Sequence, residues 1–172
     1  TFGDFSDALS ITADGRFIYF SKIEPHQIYY QRSDLYRLDV SDKKVTRLTR
    51  GARAVSPAVS PEGKTVAFVQ FDGHLSRLML LDVESGAQTP LLSGDNGELI
   101  RQPAFSSDGT RLAFQMLGRD GKQDVCIMNR DGSGLRRLFE DAALDAAPAW
   151  GLQDRYLFFD SDRSGVPNIF AC

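Results

Sequence analysis

Short apolar runs alternate with tight polar turns along the whole chain, and one such unit recurs. It is clearest as Gln102-Pro103-Ala104-Phe105-Ser106-Ser107-Asp108-Gly109-Thr110-Arg111-Leu112-Ala113-Phe114. Related copies run from Ser56 to Phe68, from Leu9 to Phe20 and from Ala147 to Phe159. Each copy has an apolar run, a turn, and a second run rich in β-branched and aromatic residues, which predicts a β-hairpin. Asp14-Gly15 and Asp108-Gly109 are favoured turn pairs because glycine accepts positive φ without steric cost, and Glu62-Gly63 serves likewise. A third strand is predicted at Asp34–Val40, Arg77–Val83 and Asp124–Asn129, and a fourth at Lys44–Leu48, Gln88–Leu92 and Leu135–Phe139.

The closing residues of the hairpins, Phe20, Phe68, Phe114 and Phe159, are 48, 46 and 45 residues apart. That is the period of about 40–50 residues at which four-stranded propeller blades repeat. The chain is therefore read as all-β, a partial β-propeller of about four blades of four-stranded antiparallel sheets. The blades are placed at residues 7–49, 54–92, 101–139 and, incomplete, 146–172 of a single segment covering 1–172. In blade one the first two strands are expected near Ala8–Thr12 and Phe17–Ser21, followed by a long connection, Lys22–Arg32. Thr1–Ser6 is expected to be the remnant of a preceding outer strand. Blade four lacks its outer strand, so the array is expected either to belong to a larger propeller or to assemble with another copy. Closure as a four-bladed ring through Thr1–Phe5 is the less usual alternative.

The run from Gln123 to Leu138, with Pro148-Ala149-Trp150 and Asp160-Ser161-Asp162-Arg163-Ser164-Gly165, resembles the WD-related repeats of TolB-type propellers over nearly the whole chain. Similar repeats build the gating propeller of the prolyl oligopeptidase family. The first resemblance implies a non-catalytic protein- or peptide-binding scaffold in the bacterial periplasm, with protein partners of the envelope. The second implies a propeller that gates the substrates of a serine peptidase whose catalytic domain lies outside these residues. A fold of this kind supports many roles, so function has to be argued from a site.

Antiparallel strands reverse direction, so the connections between strands two and three emerge from the same rim as the connections between blades. That rim carries His26, Arg50, Arg53, His74, Glu98, Arg101, Arg119, Asp120, Asp141, Asp145 and Asp162. Its loops vary in length from blade to blade, as binding loops do. The candidate partner-binding residues are His26, Arg53, His74, Arg101, Arg119, Asp120 and Asp162.

Composition narrows the classes further. With 42% hydrophobic and 25% charged residues the chain is an ordinary globular one, and its net charge of -3 offers no footprint for nucleic acid or an anionic membrane. No apolar run approaches the roughly 20 residues that span a bilayer as a helix. The chain opens on Thr1 without a basic-then-apolar leader, which reads as a mature product or an excised piece. Neither Gly-x-Ser-x-Gly nor a paired-His metalloprotease motif occurs, and Gly132-Ser133-Gly134 falls in a hairpin turn, so no catalytic residue and no cofactor is expected in this segment.

Asp160–Gly165 matches the opening of a calcium loop, but Ala171 stands where a bidentate Glu is required, so a self-capped polar turn is expected and no metal. His26 and His74 lack a third ligand and read as exposed loop residues. Trp150 reads as core. Cys126 and Cys172 are expected to be buried free thiols facing opposite sides of their sheets. In the same register, Asp at Leu112 or Phe158 is expected to be severely destabilising, and Asp at Lys122 to be silent.

Overall fold

A computed structural model describes residues 5–26, 30–73, 75–139 and 141–172. They form four antiparallel sheets in chain order. The first contains β1 (Phe5–Ile11), β2 (Phe17–His26), β3 (Tyr30–Asp39) and β4 (Val45–Arg47), and the second β5 (Ala54–Val59), β6 (Thr65–Asp72), β7 (Leu75–Asp82) and β8 (Gln88–Ser93). The third contains β9 (Leu99–Phe105), β10 (Arg111–Leu117), β11 (Gln123–Asn129) and β12 (Arg136–Arg137). The fourth has three strands, β13 (Asp145–Trp150), β14 (Leu157–Ser161) and β15 (Asn168–Ala171). Each sheet is one up-and-down blade.

The repeat unit is the hairpin of the first two strands. In its turn the Asp108 carboxylate accepts from the Ser106 hydroxyl (2.6 Å) and from the Thr110 N–H (2.9 Å) and hydroxyl (2.8 Å). Gly109, at φ 71°, donates its N–H to the Ser106 carbonyl. A β-branched residue would be strained there, so the Asp-Gly pair is selected by the turn itself. Asp14 does the same with Thr12 and Arg16.

The core lies between blades, because each blade is a sheet with two apolar faces. Tyr19 and Leu35 of blade one pack on Val66, Phe68 and Leu81 of blade two. The other face of blade two, Val69 and Leu78, packs on Leu112, Phe114, Cys126 and Met128 of blade three. Ala113, Val125 and Ile127 then meet Leu157 and Phe159 of blade four. Trp150 is partly buried in that last cluster, and its indole N–H donates to the Ala104 carbonyl (3.1 Å).

Several expectations are corrected. The stretch Lys22–Arg32 is mostly a ribbon, with β2 and β3 paired out to His26 and Tyr30. Its polar residues and Pro25 resemble a loop, but the antiparallel ladder continues through it, Lys22 opposite Asp34 and Glu24 opposite Arg32, with Glu24 held by Lys22 and Arg47. Phe5 belongs to the first strand of blade one, opposite Lys22, and not to an outer strand of another blade. Residues 1–4 lie outside the described residues.

Phe158 is 41% exposed, whereas Leu157 and Phe159 are buried. Side chains alternate across a strand, and no described residue packs beyond the face of blade four that carries Phe158 and Ile169. Leu9, Ile11 and Val45 are exposed for the same reason at the other end of the array.

The cysteines are also corrected. Cys126 sits opposite Phe114 and Phe170 opposite Phe159, so these two share one blade position, and Cys172 lies two residues beyond Phe170 on the same face. Both cysteines therefore occupy the same side of their respective sheets, with the sheet of blade three between them. Both are free; Cys126 is buried but Cys172 is exposed. Burial pushes the Cys126 thiol up to about 11. In thiol labelling of the 172-residue chain near pH 8, Cys172 is expected to react in the native state and Cys126 only after denaturant is added. Labelling of both thiols in the native state would contradict this packing.

Candidate binding rim and channel wall

The innermost strands β1, β5, β9 and β13 line the inner surface of the array. In three of them a bulge carries a non-glycine residue in the left-handed region just before a proline: Ser56 (φ 51°), Gln102 (φ 49°) and Ala147 (φ 51°). Such a conformation costs on the order of 1–2 kcal/mol per residue and is held by the surrounding structure. Gln102 helps to hold it, since its side-chain carbonyl accepts from the Ala147 N–H of the next blade (3.2 Å). These residues border an open hollow of about 370 Å³ that also touches Ala8–Ser10. A second hollow of about 360 Å³ opens beside it and is lined by Arg101, Gln102, Gln115 and Phe71.

At the rim the connections between blades are clamped by buried polar groups. The Asp34 carboxylate is 1% exposed and accepts four hydrogen bonds. They come from Arg47 (2.6 Å), the Thr49 hydroxyl (2.7 Å) and the N–H groups of Gly51 (2.8 Å) and Ala52 (3.0 Å). Burial alone would raise the pKa of Asp34, but these donors, Ala52 and Thr49 foremost, outweigh it and hold it below the ordinary carboxylate value. Asp124 has the same place in blade three and pairs with Arg137, the counterpart of Arg47. Blade two departs from this pattern, with Arg77 in the place of the Asp and Pro90 in the place of the Arg. There Ser76 takes over the clamp, accepting from the Ile100 N–H and donating to the Glu98 carbonyl.

The candidate partner-binding residues separate into distinct groups. Arg53 is exposed, in the left-handed region at φ 50°, and lines a hollow between blades one and two together with Arg32 and Arg77. Arg101 lines the second hollow together with Phe71, Gln102 and Gln115. Phe71 borders both hollows. Arg119 lies over Gly97, while Asp120 accepts from the Lys122 N–H within its own turn. Asp162 accepts from the Leu144 N–H (2.8 Å), and the buried Asp145 holds Arg163, so both serve the connection into blade four. The His26 side chain and all of His74 fall outside the described residues. The side-chain oxygens of Ser161 and Asp162 in the calcium-like run are engaged by Arg163 and Leu144, the arrangement of a self-capped turn.

Of the three arginines around the hollow between blades one and two, Arg53 stands out in the sequence, whereas Arg32 and Arg77 do not. Arg32 reads as part of a loop, and Arg77 opens a predicted core strand. The available signal was the exchange of Asp for Arg at one blade position.

The model of the TolB beta propeller domain matches residues 11–172. The chain belongs to this family. Among the relatives of the TolB propeller, the Tol-Pal system protein TolB of Anaeromyxobacter dehalogenans is 33% identical over 96 residues, which is 56% of this chain and 21% of that protein. The Protein TolB homolog of Chlorobium luteolum is 29% identical over 142 residues, covering 80% of this chain and 30% of the relative. The chain thus spans less than a third of the length of these curated relatives.

In fold, the putative TolB of Agrobacterium tumefaciens superposes with a TM-score of 0.79 at 22% identity, over 91% of this chain and 54% of that one. A prolyl endopeptidase superposes with a TM-score of 0.70 at 16% identity, over 96% of this chain and 26% of that one. At such identities the likeness is one of fold, and both propellers anticipated from the repeat are structural neighbours.

Proposed function

We propose that this TolB-like propeller is a non-catalytic scaffold of the bacterial cell envelope, facing the periplasm, that binds a protein or peptide partner across the rim and channel mouth. The observation that carries the proposal is a contrast between the two rims. On the rim of the hairpin turns the carboxylates are used by the fold. Asp14, Asp39, Asp108 and Asp131 accept from the hydroxyls and N–H groups of their own turns, which holds all four below ordinary carboxylate values and Asp108 down to about 2. On the opposite rim, Arg50, Arg53, Arg101 and Arg119 are exposed and make no ion pair among the described residues. Most of the acids there are engaged instead, Asp162 by Leu144, Asp145 by Arg163, Asp120 by Lys122, Glu98 by Asn96 and Asp141 by Ala143.

Side chains the fold does not use are available to a partner, and here they are cationic on a chain of net charge -3. Complementarity then favours an acidic partner surface. A substrate-gating role beside a peptidase domain is supported only by the shared fold.

The test is site-specific photo-crosslinking in the full-length gene product, expressed in its own host. Photoreactive residues at positions 53 and 101 are expected to yield discrete protein adducts in the periplasmic fraction, and one at Lys64 on the other rim to yield none. Recovery of the protein in the cytoplasm, or adducts of equal yield from both rims, would refute the assignment.

A further inference from the structure

The hollow between blades one and two measures about 380 Å³ and is almost wholly polar, with Arg32, Arg53, Arg77, Gln70 and Asp72 around it. We infer that it is a carboxylate cradle that receives acidic side chains of a partner protein, which rests on the rim-binding reading above and specifies its chemistry. Three arginines line it from three separate segments: β3, the connection between the blades, and β7. Among the described residues Asp72 is the one acid lining the hollow, and Glu24, opposite Arg32 in the ribbon, is held by Lys22 and Arg47. Asp72 is 65% exposed and meets Arg77 at 3.3 Å, a contact that water and salt weaken. Asp34, close by, is fully engaged by its own four donors.

Arg32 carries the argument furthest. Its Nε–H is buried and has no hydrogen-bond partner among the described residues, although a buried donor left unpaired is costly. Its guanidinium also makes no ion pair among the described residues, and it lies against Gly51, where a Cβ would come within 3.1 Å of Nη1. Gly51 (φ 66°) thus makes room for the side chain as well as turning the chain. An Arg fork placed this way matches a carboxylate in geometry and charge. The hollow is of the size of a small ligand site, yet it is open on the rim and has hardly any apolar wall to enclose a free metabolite. An acidic side chain already tethered to a docked protein needs no such enclosure.

The test uses the N-acetyl Glu-Glu amide peptide as probe, with proton–nitrogen correlation spectra of the isotope-labelled chain reading the arginine Nε–H signals. The signals of Arg32, Arg53 and Arg77 are expected to shift and saturate with this peptide and to stay in place with the matched Gln-Gln peptide. Arg32→Gln and Arg53→Asn, the second chosen because Asn tolerates the left-handed region, are each expected to weaken binding about tenfold or more. Arg155→Gln on the other rim should leave it unchanged. Unfolding curves matching the parent chain certify that each variant is folded.

The inference is overturned if the Gln-Gln peptide acts equally, or if both cavity variants bind as the parent does. It is overturned as well if inorganic phosphate saturates the site while the peptide does not, or if a single-stranded oligonucleotide displaces the peptide at equal concentration. Crosslinking from position 101 separates the two claims. Adducts there together with a silent cavity would remove the cradle and leave the rim reading standing.

Discussion

In the 172-residue chain Leu112→Asp is expected to abolish cooperative unfolding, while Phe158→Asp, one blade later in the same repeat, lowers stability by about 1 kcal/mol or less. Leu112 is 0% exposed and sits in β10 against Val69 and Leu78 of the preceding blade. A carboxylate there has no partner, and the loss exceeds the roughly 4–5 kcal/mol that marks exceptional substitutions. Phe158 points from the open face of blade four, where an ionised side chain remains hydrated. Phe159→Asp, two blade positions beyond the Leu112 counterpart and 2% exposed, should repeat the severe outcome. Lys122→Asp, on an exposed turn, should be silent. Urea denaturation followed by circular dichroism checks all four, and a severe loss from Phe158→Asp would mean that its face is covered.

Asp34→Ala is expected to lower stability by about 3 kcal/mol or more at neutral pH, because the N–H groups of Gly51 and Ala52, the Thr49 hydroxyl and Arg47 all lose their acceptor together. The sign of the pH dependence follows from the lowered pKa of Asp34. Its stabilising contribution is complete above the unfolded value of about 3.9 and disappears as pH falls through the lower folded value. The gap between parent and variant should therefore stay constant from neutral pH down to about pH 5 and narrow below about pH 4. Denaturant midpoints measured at several pH values test this. A gap that widens in acid would mean that the carboxylate is not held ionised by these donors. The same clamp joins blade one to blade two, so the variant should also disturb the rim around Arg53.

Much of the fold was legible because its determinants are local. The Asp-Gly turns, the alternation along each strand and the spacing of Phe20, Phe68, Phe114 and Phe159 lie within single repeat units. The site was only half legible. Arg53 stands in a connection between blades and was named for that reason. Arg32 reads as a loop residue because Pro25 and a polar run obscure the ribbon formed by β2 and β3. Asp162 and Asp145 stand on the same rim, and nothing in their sequence neighbourhood shows that Leu144 and Arg163 already engage them.

By itself the sequence determined the repeat, the four-stranded blade and the positions of its turns, since each depends on side chains a few residues apart. Tertiary structure alone decided which face of a blade is dry, because burial requires a neighbour: Ala113 is covered by blade four, whereas its counterpart Phe158 is not. It also decided where charge accumulates. Arg32, Arg53 and Arg77 belong to different segments of the chain, and the packing of blade two against blade one brings them around one hollow.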